Sequence, residues 1–267
     1  MQCKNWKLSG SRGEDIHGTT HETTGVQRGT VLLGHGFKGY KDYGMFPWLA
    51  EQFAQLGFIA HRFNFSHSGM LDGDGSFVRP DLFKEATWNT QVDDLVVLCD
   101  TFREKNSHLY VLGHSRGGVA CLLAAGRGAI DVDGVMSLSA PSTCNPLAEE
   151  TQRLLLDQGY VESPSSRTDQ MLHIGASFLQ EQLDNPESHD LLDIISGYDA
   201  PVLLVHGEDD ETVSVMSAEE IAAVAMQPTL VRVSDANHVF NTPNPFPIDG
   251  TPSTQLQAVW DAIEVWL

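Results

Sequence analysis

The sequence predicts an α/β protein in which a mostly parallel central sheet is covered by helices on both faces and interrupted by one small inserted cap. Three observations predict it. Short apolar runs alternate with longer segments of helical period. The runs are apolar at nearly every position, as strands buried on both faces must be. And 267 residues suit one large domain with an insertion better than two independent ones.

The strands are expected, in chain order, at 30–36 (TVLLGHG), 58–65 (FIAHRFNF), 109–115 (LYVLGHS), 134–141 (GVMSLSAP), 201–208 (PVLLVHGE) and 229–236 (TLVRVSDA). Between them, apolar residues recur every three or four positions over 45–56, 84–103, 116–126 and 218–225, and a last helix over 253–266 closes the chain. Ahead of the first strong strand, NWKLSG and EDIHGTTHE alternate in polarity and are expected to add an antiparallel edge. The rhythm breaks over 142–200, a stretch too long for one crossover helix and its loops. It reads as the cap, with EETQRLLLDQG and ASFLQEQLDN helical and YVESPSSRTDQMLHI a hairpin turning at Pro-Ser-Ser. The core domain is then 1–141 with 201–267.

Composition narrows the function classes. Lys and Arg number 16 against 36 Asp and Glu, a formal net charge of -20, and the basic residues are scattered. Phosphate binding needs clustered cations, so nucleic acid is excluded as a partner. The same field repels anionic membranes and anionic small molecules unless a local basic patch overrides it. The start, MQCKNWKLSGSRGED, lacks the apolar core of a secretory signal and no run approaches a membrane span, so a cytoplasmic location is expected. Cys3, Cys99, Cys121 and Cys144 stand far apart, which predicts reduced thiols and no metal site. GHGFKG lacks the Lys followed by Ser or Thr of a phosphate loop, and no cofactor of any kind is expected. A homodimer is left open, with Trp48, Trp88 and Trp260 either interface or core residues.

One stretch carries chemistry. LYVLGHSRGG sets Ser115 between Gly113 and Gly117, where an expected strand meets an expected helix. A serine hydroxyl is a poor nucleophile unless a turn projects it toward a base and toward backbone N–H groups that hold a developing oxyanion. Gly-x-Ser-x-Gly in a strand-turn-helix context meets that need. Downstream, HGEDDETV and SDANHVFN put a cluster of carboxylates and then His238 after the last two strands, at the carboxyl ends where parallel sheets build sites. Chemistry alone does not choose among Glu208, Asp209, Asp210 and Glu211. His35, His114 and His206 also flank these motifs; the first and last are expected to support strand-end turns, and His114 to point away from Ser115.

These motifs, in this order, resemble the α/β-hydrolase superfamily of serine esterases from about Asp15 onward. GHG with Phe37 is similar to the family's oxyanion strand end, GHSRGG to its nucleophile elbow, HGEDDETV to its acid turn and NHVF to its histidine loop. The resemblance implies the α/β-hydrolase fold and a catalytic set of Ser115, Asp210 and His238, with Asp209 as the alternative acid. It implies an oxyanion hole made by the backbone N–H groups of Phe37 and Arg116. The cap, together with RFNFSHSG and ANHVFNTPNPF, looks like segments of bacterial cinnamoyl and feruloyl esterases. The implied reaction is hydrolysis of a small acyl or aryl ester through an acyl-enzyme, with amide, peptide or thioester hydrolysis as alternatives and a non-catalytic binding protein as the reading from another class. Tyr160, Met171, Phe178, Val239 and Phe240 are the apolar side chains expected to line the substrate pocket.

Overall fold

The computed structural model describes residues 2–73, 75–105 and 107–267. The chain opens with an antiparallel hairpin, β1 (Gln2–Ser9) and β2 (Asp15–Glu22), and enters the sheet proper at β3 (Gly29–Gly34). It continues through α1 (Phe46–Gln55), β4 (Phe58–Asn64), α2 (Pro80–Lys84), α3 (Trp88–Phe102), β5 (His108–His114), α4 (Arg116–Gly126) and β6 (Gly134–Leu138). The intervening segment holds α5 (Glu149–Gln158), β7 (Tyr160–Ser165), β8 (Gln170–Gly175), α6 (Ser177–Asp184) and α7 (Leu191–Ser196). β9 (Val202–Gly207), α8 (Met216–Val224), β10 (Pro228–Val233) and α9 (Thr254–Trp266) complete it.

Eight strands form one sheet in the order β1-β2-β4-β3-β5-β6-β9-β10. β1 and β2 form the antiparallel edge, β2 meets β4 antiparallel, and every pairing from β4 to β10 is parallel. Because successive side chains on a strand point to opposite faces, each central strand feeds two cores. Leu32, Val111, Val135 and Leu204 go to the layer with α3, α4, α7 and α8, while Val31, Leu112, Met136 and Val205 go to the layer with α1 and α9. Trp48, Trp88 and Trp260 are buried in these layers as core side chains. Among the described residues, no helix is long and apolar enough to cross a membrane.

The helix expected over 84–103 is α3, which begins four residues later than expected, Lys84 instead closing the short α2. Thr87 starts α3: its hydroxyl accepts from Thr90 N–H while its own N–H donates to Thr90 Oγ1 at 3.0 Å, a reciprocal cap that begins the helix. Between β6 and β9, β7 and β8 pair as a separate two-stranded sheet. α7 instead packs on α4 and α8, with Leu191 and Ile195 in the first core. α6 is pinned to α3: Glu181 Oε1 accepts from the N–H groups of Trp88 (2.6 Å) and Asn89 (3.2 Å), a carboxylate at a helix N-terminus.

Asp94 on α3 is fully buried and ties three segments together, accepting from Ser11 N–H at 2.8 Å, Ser66 N–H at 2.8 Å and Ser66 Oγ at 2.9 Å. Burial pushes its carboxyl up to about 7, outweighing these hydrogen bonds. A carboxyl raised in the folded state stabilises fully below its unfolded value, and that contribution is lost as pH rises through about 7. Urea unfolding at pH steps from 4 to 8 is therefore expected to show wild type losing stability relative to Asp94→Asn as pH rises. An offset between the two that stays constant with pH contradicts this.

Candidate active site

Ser115 occupies the turn between β5 and α4 with φ 53° and ψ -121°, a conformation an L-residue adopts only under strain of about 1–3 kcal/mol. Two close approaches hold it there. A Cβ on Gly117 would lie 2.5 Å from His35 O, and one on Gly113 would overlap Gly117 O, so only glycine lets α4 start this near β3 and β5. The N–H of Ser115 donates to Leu138 O at 2.7 Å, and those of Gly118 and Val119 turn back to Ser115 O. The N–H of Arg116, at the positive end of α4, has no acceptor among the described residues.

The end of β3 supplies the opposite wall. Gly36 sits so close that a Cβ there would be 3.1 Å from Ser115 Cβ. His35 Nδ1–H donates to Gly36 O at 2.8 Å and its Nε2 accepts from Phe65 N–H at 3.3 Å, which sets the plane of the peptide that carries the Phe37 N–H. Burial holds the His35 ring down to about 4, so it stays neutral and keeps both bonds. The Phe37 N–H, like that of Arg116, has no acceptor among the described residues.

His238 and Asp210 stand at the ends of β10 and β9. His238 Nδ1 donates to Asp210 Oδ2 at 2.7 Å, leaving Nε2 as the ring's free acceptor. Asp210 Oδ1 accepts from the N–H groups of Thr212 and Val213, both at 2.9 Å, and His206 Nε2 lies 3.3 Å from Oδ2 while donating to Val213 O. Burial raises the Asp210 carboxyl, but the bonds from His206, His238 and Val213 outweigh it and hold it well below the usual carboxylate range. Asp209 is exposed and its N–H is used on Ala236 O. The His114 ring is turned to His238, packing 4.8 Å from its ring, with Nε2 donating to His238 O at 2.8 Å. No hydrogen bond joins Ser115 to His238; the two line one cavity of about 220 Å³. Among the described residues no cluster of ligands suits a metal ion.

Ser115 and Phe37 also line a second, larger and mostly apolar cavity of about 400 Å³, walled by Trp88, Leu147, Ile174, Phe178 and Val213. Arg116 anchors its floor: Nε donates to Gln91 Oε1 at 2.8 Å and the guanidinium stacks 5.0 Å from Trp88, 4.9 Å from Phe178 and 5.6 Å from Phe37. Of the five side chains expected to line a pocket, Phe178 lines the large cavity and Val239 the small one. The other three expectations are corrected. Phe240 is fully buried in the second core, carried there by the left-handed turn at Phe240 and Asn241. Tyr160 and Met171 lie on the hairpin's outer face, because β8 alternates and sends Leu172 and Ile174 inward instead. Ile174, Trp88 and Leu147 carry no local sequence signal that marks them as cavity walls.

The family model described as "Alpha/beta hydrolase family" matches residues 31–248. The chain belongs to the alpha/beta hydrolase family. No curated protein matches the sequence. Among solved structures, this alpha/beta hydrolase is similar to Est1E from Butyrivibrio proteoclasticus with ferulic acid bound, at 17% identity and a TM-score of 0.74, covering 96% of this chain and 95% of that one. It is similar to the esterase domain of a Rhodothermus marinus protein, at 18% identity and a TM-score of 0.68, covering 100% and 98%. It is also similar to mouse alpha/beta hydrolase domain-containing protein 10, at 20% identity and a TM-score of 0.70, covering 99% and 100%. At these identities the likeness concerns the fold.

An alkyl fluorophosphonate, which needs an activated serine but no particular substrate, is expected to label this hydrolase once per chain at Ser115. Mass spectrometry of the labelled peptide, with Ser115→Ala as control, reads the result. Gly117→Ala is expected to slow labelling by about a hundredfold, since displacing one oxyanion donor costs about 10² to 10³.

Proposed function

We propose that this alpha/beta hydrolase is a serine carboxylesterase acting on small acyl or aryl esters. The observation that carries the reading is one serine, on a strained turn beside two unpaired backbone N–H groups, that shares a cavity wall with a histidine hydrogen-bonded to a buried carboxylate. In the proposed reaction, His238 Nε2 takes the proton of Ser115 Oγ as Oγ bonds to the acyl carbon. The N–H groups of Phe37 and Arg116 hold the oxyanion, and Asp210 stabilises the imidazolium. His238 then returns the proton to the departing alkoxide as the carbon–oxygen bond breaks. Water repeats the sequence on the acyl-enzyme and frees the acid.

The apolar cavity of about 400 Å³ is large enough for a short acyl chain or one aryl ring. The ferulic acid bound to Est1E, a structural neighbour, supports an aryl acid as one class to try first. Trp88 and Phe178 give that cavity an aromatic wall for such a ring.

Hydrolysis of p-nitrophenyl acetate, butyrate and octanoate, methyl ferulate and an aminoacyl p-nitroanilide tests the proposal. Ester cleavage lost in Ser115→Ala is the expected result; anilide cleavage without ester cleavage overturns it in favour of an amidase. Asp210→Asn is expected to lower turnover by about 10⁴, because the imidazole loses the acceptor that sets its tautomer, while exposed Asp209→Asn changes it less than threefold. The reverse ranking moves the acid by one residue.

A further inference from the structure

The two cavities that meet at Ser115 differ in chemistry, and His238 lines only the smaller. If the esterase reading holds, on which this inference rests, the group that returns a proton to the departing oxygen must stand beside that oxygen. The alcohol portion of the ester therefore occupies the cavity of about 220 Å³, and the acyl portion the apolar one.

That alcohol cavity is cationic in a protein of formal net charge -20. Lys38 and Arg167 both line it. Lys38 follows Phe37 directly and stands in the left-handed region at φ 57°; its Nζ donates to Pro164 O at 2.6 Å and has two further donors. Arg167, behind it, donates to Lys38 O at 3.4 Å and to Gly75 O, and stacks 4.6 Å from Tyr40. No carboxylate among the described residues pairs with either, and burial pushes both cations' pKa values down. A partly desolvated ammonium with no carboxylate partner among the described residues, on the wall of the cavity that Ser115 also lines, favours an anion in that space.

We propose that the cavity beside His238 recognises esters whose alcohol portion carries a carboxylate, with Lys38 as the contact and Arg167 holding the Lys38 turn. Attack by Ser115 Oγ forms the acyl-enzyme, the ester carbon–oxygen bond breaks, and the departing alkoxide takes its proton from His238 while its carboxylate stays paired with Lys38.

Three butyrate esters that differ only at the far end of the alcohol test this: those of benzyl alcohol, 4-(hydroxymethyl)benzoic acid and 4-(aminomethyl)benzyl alcohol. Wild type is expected to favour the carboxylate ester over the neutral one by about tenfold in kcat/KM at low salt, the scale of one charge-assisted hydrogen bond. That ratio is expected to fall toward one in Lys38→Gln and to reverse in favour of the ammonium ester in Lys38→Glu. The ratio is read rather than the rate, so a variant that merely loosens the turn slows all three alike. Equal or faster turnover of the neutral ester by wild type, or a ratio indifferent to Lys38→Glu, overturns the assignment and leaves the esterase reading intact. Turnover of none of the three, with Ser115 unreactive to the fluorophosphonate, overturns both.

Discussion

The near contact between the start of α4 and the ends of β3 and β5 is the constraint on which the site depends. With a Cβ at Gly117 or Gly113, α4 would have to withdraw from His35 O or from its own first turn. Withdrawal would relax Ser115 out of its left-handed conformation and swing the Arg116 N–H away from that of Phe37. The strain at Ser115 is sustained because the sheet over-determines it: its N–H is tied to β6 and its carbonyl to two N–H groups of α4. One pair of neighbouring parallel strands thus fixes both the projecting hydroxyl and the two unpaired donors around it.

The same economy appears in the electrostatics. An isolated carboxylate inside a protein would gain a proton rather than stay charged. Asp94 shows that outcome, pushed up to about 7 by burial with only neutral donors around it. Asp210 is also withdrawn from water, yet two imidazoles and two backbone N–H groups converge on it and keep it ionised. The difference lies in the donors as well as in depth, Asp94 being the more deeply buried of the two. Because Asp210 stays ionised, it fixes His238 with the proton on Nδ1 and the lone pair on Nε2.

How much of this was legible in the sequence follows from what local pattern can encode. Strands buried on both faces read as apolar runs, so β3, β4, β5, β6 and β9 lie where those runs fall, the half-exposed edge strand β10 follows the last run, and the alternation of the first segments marks the β1–β2 edge. The boundary between α2 and α3 is not visible in the sequence, because a Thr-x-x-Thr cap looks, by period alone, like continuing helix. At the site, Ser115, Asp210 and His238 sit in motifs whose spacing reflects the turns they make. The cavity walls do not. Tyr160 and Met171 were chosen for size, but a half-exposed hairpin has no apolar face strong enough to reveal its register, and only β8's pairing turns Ile174 inward. Lys38 and Arg167 are 129 residues apart in sequence and meet only after the hairpin folds over the turn that follows β3.

That meeting joins parts of the molecule a reader of the chain would treat separately. Lys38 Nζ bonds the carbonyl of Pro164 on β7, Arg167 beyond β7 bonds the carbonyl of Lys38, and Lys38 is the neighbour of Phe37, whose N–H has no acceptor among the described residues. On the other side, Glu181 of α6 caps α3, where Trp88 walls the apolar cavity and stacks on Arg116, the second residue with an unpaired N–H. The segment between β6 and β9 therefore contacts the elements that carry both unpaired N–H groups, through a cation on one side and a carboxylate on the other. A ligand that occupies either cavity presses on a wall that is also a support for one donor. The walls of the two cavities and the placement of the two unpaired N–H groups are in this way set by the same few contacts, while the turn at Ser115 is set separately by Gly113 and Gly117 against the sheet.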